Sequence, residues 1–228
     1  MPSIKLIVTS DGSHSLLNET LDETYHSVHG AIQESEHVFI KNGLDHFLNS
    51  GNVMNISILE VGFGTGLNAL LTLRRILAST VAVRYTTLEA FPLGEELWTK
   101  LNYTQSLGLT EHFQNLHQSV WDEPYDLLPN MELMKKRTLL QQTDLPAEAF
   151  DVVYFDAFAP NKQPELWTID ILKKIATAMK ANAVFVTYCA KGQLKRDLKE
   201  LGLTVETLDG PPGKKEMVRA TKPAVKPS

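Results

Sequence analysis

Short apolar runs alternate with amphipathic stretches along most of the chain. Ile56-Ser57-Ile58-Leu59-Glu60-Val61 reads as a short buried strand that ends in glycines, and Leu residues at 67, 70, 71, 73 and 77 then follow at helical spacing. The period switches from strand to helix across a glycine turn. A second strand is expected over Val81 to Leu88, followed by a helix from about Leu93 to Leu107 with Gly108 at its C-terminal stop. Pro129 and Asn130 introduce a third strand, Glu132 to Leu140, and Gln141 to Glu148 read as a connection. Phe150 to Phe155 (F-D-V-V-Y-F) is the clearest strand, being rich in β-branched and aromatic residues. A helix near Pro164 to Ala181, a strand at Ala183 to Tyr188, a helix at Lys191 to Leu201, and strands at Thr204 to Leu208 and Glu216 to Ala220 complete the pattern.

Strands separated by helices require right-handed crossovers and a mostly parallel sheet covered on both faces. Asp209 to Gly213 is too short for a crossover, so the last two strands form a hairpin and add one antiparallel strand. The expectation is an α/β fold with a mixed seven-stranded sheet over residues 51–220. Residues 1–50 fall outside the alternation and are expected to form a hairpin or flap over the sheet's edge. Residues 221–228, T-K-P-A-V-K-P-S, read as a flexible tail.

Composition narrows the setting. The 228 residues, 43% apolar and 21% charged, suit one soluble domain, and the lone Cys189 permits no internal disulfide and points to a reducing compartment, the cytoplasm. The apolar stretch before Asp11 is too short for a signal peptide or membrane span. A net charge of -5 conceals an asymmetry: residues 171–228 carry 12 Lys and Arg against 5 Asp and Glu, whereas the first 170 carry 10 against 22. Lys191, Lys195, Arg196 and Lys199 share one helix and Lys214 and Lys215 the last hairpin. Two readings of them stay open, a solvated helix face with a loose tail and a local phosphate-binding surface. His26 and His29 lack further ligands at useful spacing, so no metal is expected.

Chemistry concentrates at two strand ends. Glu60-Val61-Gly62-Phe63-Gly64-Thr65-Gly66-Leu67-Asn68 is a glycine loop that opens a helix, where exposed amides and close backbone approach favour a ligand. A dinucleotide fingerprint can be drawn through Gly64, Gly66 and Ala69, with Glu89 placed 20 residues beyond Ala69. The spacing through Gly62, Gly64 and Gly66, with Glu60 just before, resembles instead the loop of S-adenosylmethionine (SAM) methyltransferases. An acid at Glu60 suits a sulfonium and an α-amino group and would repel a pyrophosphate. Glu89 can accept hydrogen bonds from ribose hydroxyls in either reading. Asp156, in Phe155-Asp156-Ala157-Phe158-Ala159-Pro160, ends the clearest strand where open α/β sheets bind ligands. It reads either as a turn cap or as a carboxylate that positions a nucleophile and accepts its proton.

These motifs, with L-E-A-F-P-L at Leu88 to Leu93, F-D-A-F-A-P-x-K-x-P-E-L-W at Phe155 to Trp167, G-P-P-G-K-K-E-M at Gly210 to Met217 and the segment Thr24 to Ile40, resemble the methyltransferase domain of the MnmC family, especially its stand-alone form, MnmD. The resemblance runs from about Asp22 to Met217. It implies a Rossmann-like class I SAM methyltransferase fold and methyl transfer from SAM to 5-aminomethyl-2-thiouridine at the tRNA wobble position, giving 5-methylaminomethyl-2-thiouridine. It carries over Glu60, Gly62, Gly64, Gly66 and Glu89 as cofactor contacts, with Asn68 as a weaker one, and Asp156 as the catalytic carboxylate. In the fused form an FAD-dependent domain first removes a carboxymethyl group. This chain ends just after the last strand, so only methylation is expected of it, with a separate enzyme supplying the aminomethyl group.

Two departures stand out. Many relatives have an acid near the adenine after the third strand, where Thr138-Leu139-Leu140 stands here, so backbone or Asp144 must make that contact. Lys214-Lys215-Glu216-Met217 replaces a frequent K-R-E-M and loses the planar fork of Arg. Phe158 or Tyr188 could stack on an extruded wobble base, and Trp121 and Trp167 read as packing. The competing functions are a SAM enzyme acting on a small amine or a protein, an NAD-dependent dehydrogenase, and a scaffold without activity.

Overall fold

Strand β4 (Asn55–Val61) lies inside the main sheet because both its faces are apolar: Ile56 and Ile58 point into one core, Leu59 and Val61 into the other. The computed structural model describes residues 3–224. Three short antiparallel strands, β1 (Ile4–Val8), β2 (His14–Asn18) and β3 (Glu23–Thr24), form a small separate sheet at the start of the chain. The main sheet is built from β4, β5 (Ala82–Glu89), β6 (Pro124–Leu128), β7 (Met131–Arg137), β8 (Phe150–Phe155), β9 (Met179–Thr187), β10 (Thr204–Asp209) and β11 (Glu216–Thr221), in the order β10-β11-β9-β8-β4-β5-β7-β6. Pairings β9-β8-β4-β5-β7 are parallel, and β10, β11 and β6 are antiparallel to their neighbours.

From β4 the chain fills one side of the sheet through β5 and β7, then returns to fill the other through β8 and β9. The switch point therefore lies between β4 and β8, and their carboxyl ends flank a crevice. Two layers close the sheet. Helix α3 (Leu67–Ile76) packs on the face that shows Val152, Tyr154 and Val186, together with an N-terminal helical segment made of α1 (Ala31–Ser35), a π-helical stretch Glu36–Asp45 and α2 (His46–Leu48). Helices α7 (Ile169–Ala178) and α8 (Gly192–Glu200) cover the other, which shows Val153, Phe155 and Phe185.

Several expectations need correction. The main sheet has eight strands among the described residues, not seven, because Pro124–Leu128 pairs with β7 as an edge strand. Its side chains are mostly exposed and it begins with proline, which suits an edge position and hides the hydrophobic alternation. The single helix expected over Leu93 to Leu107 is two, α4 (Glu95–Trp98) and α5 (Tyr103–Leu107). Asn102 breaks it: its Oδ1 accepts from His14 N at 2.7 Å and its Nδ2 donates to Gly12 O at 2.9 Å, committing the residue to the β1–β2 hairpin. Gly108 closes α5 in the left-handed region, at φ +69. Helix α6 (Thr110–Gln118) was not anticipated.

The helix expected to run to Ala181 stops at Ala178, and β9 starts at once, bulging at Asn182 (φ +62) before the run expected from Ala183. Residues 31–48 lie on a face of the sheet rather than across its edge: a Cβ at Gly43 would stand 2.9 Å from Val186 Cγ2. The expected tail begins too early. Thr221 belongs to β11, and Lys222 Nζ donates to the carbonyls of Ala176 and Met179 at 3.0 and 2.7 Å. Residues 225–228 of that tail lie outside the described residues. No helix among the described residues is long and apolar enough to cross a membrane.

Candidate active site

A cleft of about 580 Å³ opens at the switch point, walled by the glycine loop, the ends of β5 and β8, and the β2–β3 region of the N-terminal sheet. The loop's shape follows from its glycines. Gly62, Gly64 and Gly66 all have positive φ, at +92, +50 and +74. At Gly62 a Cβ would stand 2.7 Å from the Asp156 carbonyl oxygen, so only glycine lets β4 turn beside the end of β8. Gly64 N donates to Glu89 Oε2 and Phe91 N to Glu89 Oε1, each at 2.9 Å, which fixes the carboxylate at the cleft wall. Burial raises the Glu89 pKa, and the Phe91, Gly64 and Ala90 amides oppose the rise.

Asp156 enters from β8. Its backbone N donates to Val61 O at 3.0 Å, and its Oδ2 accepts from Asn68 Nδ2 at 2.8 Å. Burial raises its pKa to about 7, the Glu34 charge adds to the rise, and Asn68 and Lys214 oppose it. Such a carboxylate changes protonation near neutral pH, as a proton acceptor at pH 7 to 8 must.

Of the residues singled out in the sequence, Gly62, Gly64, Glu89, Asp156, Phe158 and Tyr188 line the cleft. Glu60, Gly66 and Asn68 lie behind its wall. Glu60 is fully buried; burial pushes it up to about 8, the Asp156 charge adds to this, and the neighbouring polar groups of Thr87, Asn68 and Tyr85 oppose it. Gly66 precedes α3, and Asn68 reaches the site only through Asp156. Ala69 is wholly buried in the core. Thr138 to Gln141 line the cleft and Asp144 does not. Trp167 packs on Phe155 at 5.0 Å, and Trp121 stands edge-on to Phe63 at 5.9 Å.

Other participants come from the N-terminal segment and from beneath the loop. Tyr25 meets Phe158 edge-on at 5.1 Å across the opening. His26 Nε2 lies 2.7 Å from Thr65 Oγ1, tying the N-terminal sheet to the glycine loop, and burial lowers its pKa to about 4. Beneath the loop His117 donates from Nε2 to Thr65 O at 3.1 Å and stacks flat on Trp98 at 4.8 Å; burial lowers it to about 3, so the ring is neutral. Lys214 points into the cleft, where it pairs with Glu34, and Lys195 pairs with Glu216 at 2.8 Å, so two of the six basic residues are already engaged. Among the described residues no group of three or more His, Cys, Asp or Glu is placed to hold a metal.

The site suits SAM chemically. The loop offers backbone where any side chain would intrude, Glu89 offers two carboxylate oxygens to a diol, and exposed Phe91 and Leu139 offer apolar surface to a flat base.

A family model described as S-adenosyl-L-methionine-dependent methyltransferase matches residues 109–223. The chain is 30% identical to the tRNA 5-methylaminomethyl-2-thiouridine biosynthesis bifunctional protein MnmC of Burkholderia mallei (strain SAVP1), over 93% of this chain and 34% of that protein. The protein of that name from Campylobacter jejuni subsp. doylei is likewise 30% identical, over 96% and 36%. The chain thus spans about a third of the length of these curated relatives. The crystal structure of MnmC2 from Aquifex aeolicus superposes with a TM-score of 0.79 at 26% identity, covering all of this chain and 73% of that one.

Proposed function

Because the chain belongs to the S-adenosyl-L-methionine-dependent methyltransferase family, we propose that it methylates the primary amine of 5-aminomethyl-2-thiouridine at the tRNA wobble position, giving 5-methylaminomethyl-2-thiouridine. The observation that carries this reading is Asp156, a carboxylate with a pKa near 7 in the same cleft as the glycine loop and Glu89. The substrate class follows from the names of the MnmC relatives. In this reading residues 51–220 are the catalytic domain and residues 1–50 an N-terminal extension packed on its core. The dinucleotide alternative gives way to the family match.

When bound, SAM supplies an electrophilic methyl carbon on a sulfonium, which departs as a neutral thioether. Gly62 and Gly64 hold the cofactor by backbone and Glu89 holds its ribose. Glu60, Gly66 and Asn68 act from behind the wall, as supports of the loop and of Asp156. An alkyl amine has a pKa of about 10.4, so at pH 7 only about one molecule in 10^3 is neutral and nucleophilic. Asp156 takes one proton from the ammonium, directly or through water, and the nitrogen lone pair so freed then forms the new N–C bond as the C–S bond breaks. Asn68, donating to Oδ2, holds the orientation of that carboxylate.

The test incubates the protein with radiolabelled SAM and tRNA from cells lacking this modification, then digests the tRNA and identifies the labelled nucleoside. Label in 5-methylaminomethyl-2-thiouridine is expected. No label in tRNA from a protein shown to bind SAM would overturn the substrate and send the search to small amines and proteins.

A further inference from the structure

Glu34 belongs neither to the glycine loop nor to the strand that carries Asp156, yet its carboxylate reaches the same cleft. It projects from α1 with its side chain only 5% exposed. The Ser27 backbone N–H donates to Oε1 at 2.9 Å, which pins that oxygen, while Oε2 meets the Lys214 ammonium. The same ammonium lies 3.8 Å from the centroid of the Tyr188 ring. Tyr188 is held in turn, its hydroxyl donating to Ala157 O at 2.9 Å, one residue beyond Asp156. The charges of Glu34 and Lys214 both act on Asp156, in opposite senses.

A carboxylate oxygen and an aromatic face set around one point are the two groups that recognise an alkyl ammonium. Here that point holds an ammonium of the protein's own. We propose that Glu34 and Tyr188 form the seat of the substrate's protonated primary amine, and that Lys214 fills this seat in the substrate-free protein and yields it when substrate enters. This rests on the methyl-transfer reading of the cleft. The amine arrives as R–NH3+, is drawn to Glu34 and Tyr188, and loses one proton to Asp156 before its lone pair reacts. A substrate of the same shape with a hydroxyl in place of the amine carries no charge and leaves Lys214 on Glu34. The seat therefore discriminates by charge before any chemistry takes place.

The decisive comparison is calorimetric binding of two nucleosides, 5-aminomethyl-2-thiouridine and its 5-hydroxymethyl counterpart, to the full chain saturated with S-adenosylhomocysteine. The wild type is expected to prefer the amine by roughly tenfold or more, and Glu34→Gln to lose that preference while keeping its affinity for S-adenosylhomocysteine. Tyr188→Phe retains the preference and Tyr188→Leu reduces it. With tRNA as substrate, Glu34→Gln raises KM more than it lowers kcat. Equal wild-type affinity for the two nucleosides, no binding of the amine, or an undiminished preference in a folded Glu34→Gln protein would overturn the proposal. The wild-type comparison decides even where a variant fails to fold. A wild type that prefers the amine but leaves tRNA unlabelled keeps the seat and removes only the tRNA reading.

Discussion

Two carboxylates, Glu60 on β4 and Asp156 just past β8, are raised by the same cause, burial, and face different surroundings. Asp156 meets the cleft and Asn68, whereas Glu60 meets only protein. Asp156→Asn should therefore keep SAM affinity within about threefold and lose on the order of 10^2-fold or more in single-turnover methyl transfer. For the wild type, the acid limb of the rate profile should bend near pH 7, with activity rising as Asp156 loses its proton. Glu60 should show itself in stability instead. Its folded pKa of about 8 lies above the ordinary value of 4.5, so the stabilisation from its neutral form is complete below about pH 4.5 and is lost as pH rises through 8. Glu60→Gln cannot ionise. Its melting temperature should match the wild type near pH 5 and exceed it increasingly up to pH 8, with SAM affinity little changed; a constant gap across that range would mean that Glu60 does not titrate there.

At the scale of elements, the join between β4 and α3 carries the most constraint per residue. Gly62→Ala puts a methyl 2.7 Å from the Asp156 carbonyl at φ +92, so stability should fall by about 1 to 3 kcal/mol in denaturant titration, and SAM binding should fall with it. That join was legible from residues alone, since Ile56 to Val61 is apolar on both faces and the glycines follow directly. So was β8, whose Val152 and Tyr154 alternate with Val153 and Phe155 between the two cores. The unread elements share a physical trait. Strand β6 shows most of its side chains to water, the α4–α5 break depends on Asn102 meeting a hairpin about ninety residues away, and β9 begins with a bulge that departs from the regular period. In the site, strand-end residues were readable because the fold places them without regard to distant partners. Glu34 was not: only the folded chain brings it to Lys214, 180 residues later.

The molecule as a whole is acidic, and a polyanionic partner must meet a restricted set of cations. With Lys214 turned inward and Lys195 paired, exposed Lys191, Lys199 and Lys215 are the members of the C-terminal set with most freedom to meet phosphate. Replacing these three by Gln should weaken tRNA binding and lower the slope of log affinity against log salt by about 3, with SAM affinity unchanged. An unaltered slope would place the RNA on another face. The flat stack of His117 on Trp98 reaches further than packing. The indole is 6% exposed, its neighbour imidazole is neutral, and that imidazole is bonded to Thr65 of the glycine loop. The Trp98 indole thus stands one side chain away from the glycine loop, and Trp121 packs on Phe63 within it. A change in intrinsic tryptophan emission on adding SAM, lost in Trp98→Phe, is the expected outcome, and unchanged emission would mean that the cofactor leaves this stack in place.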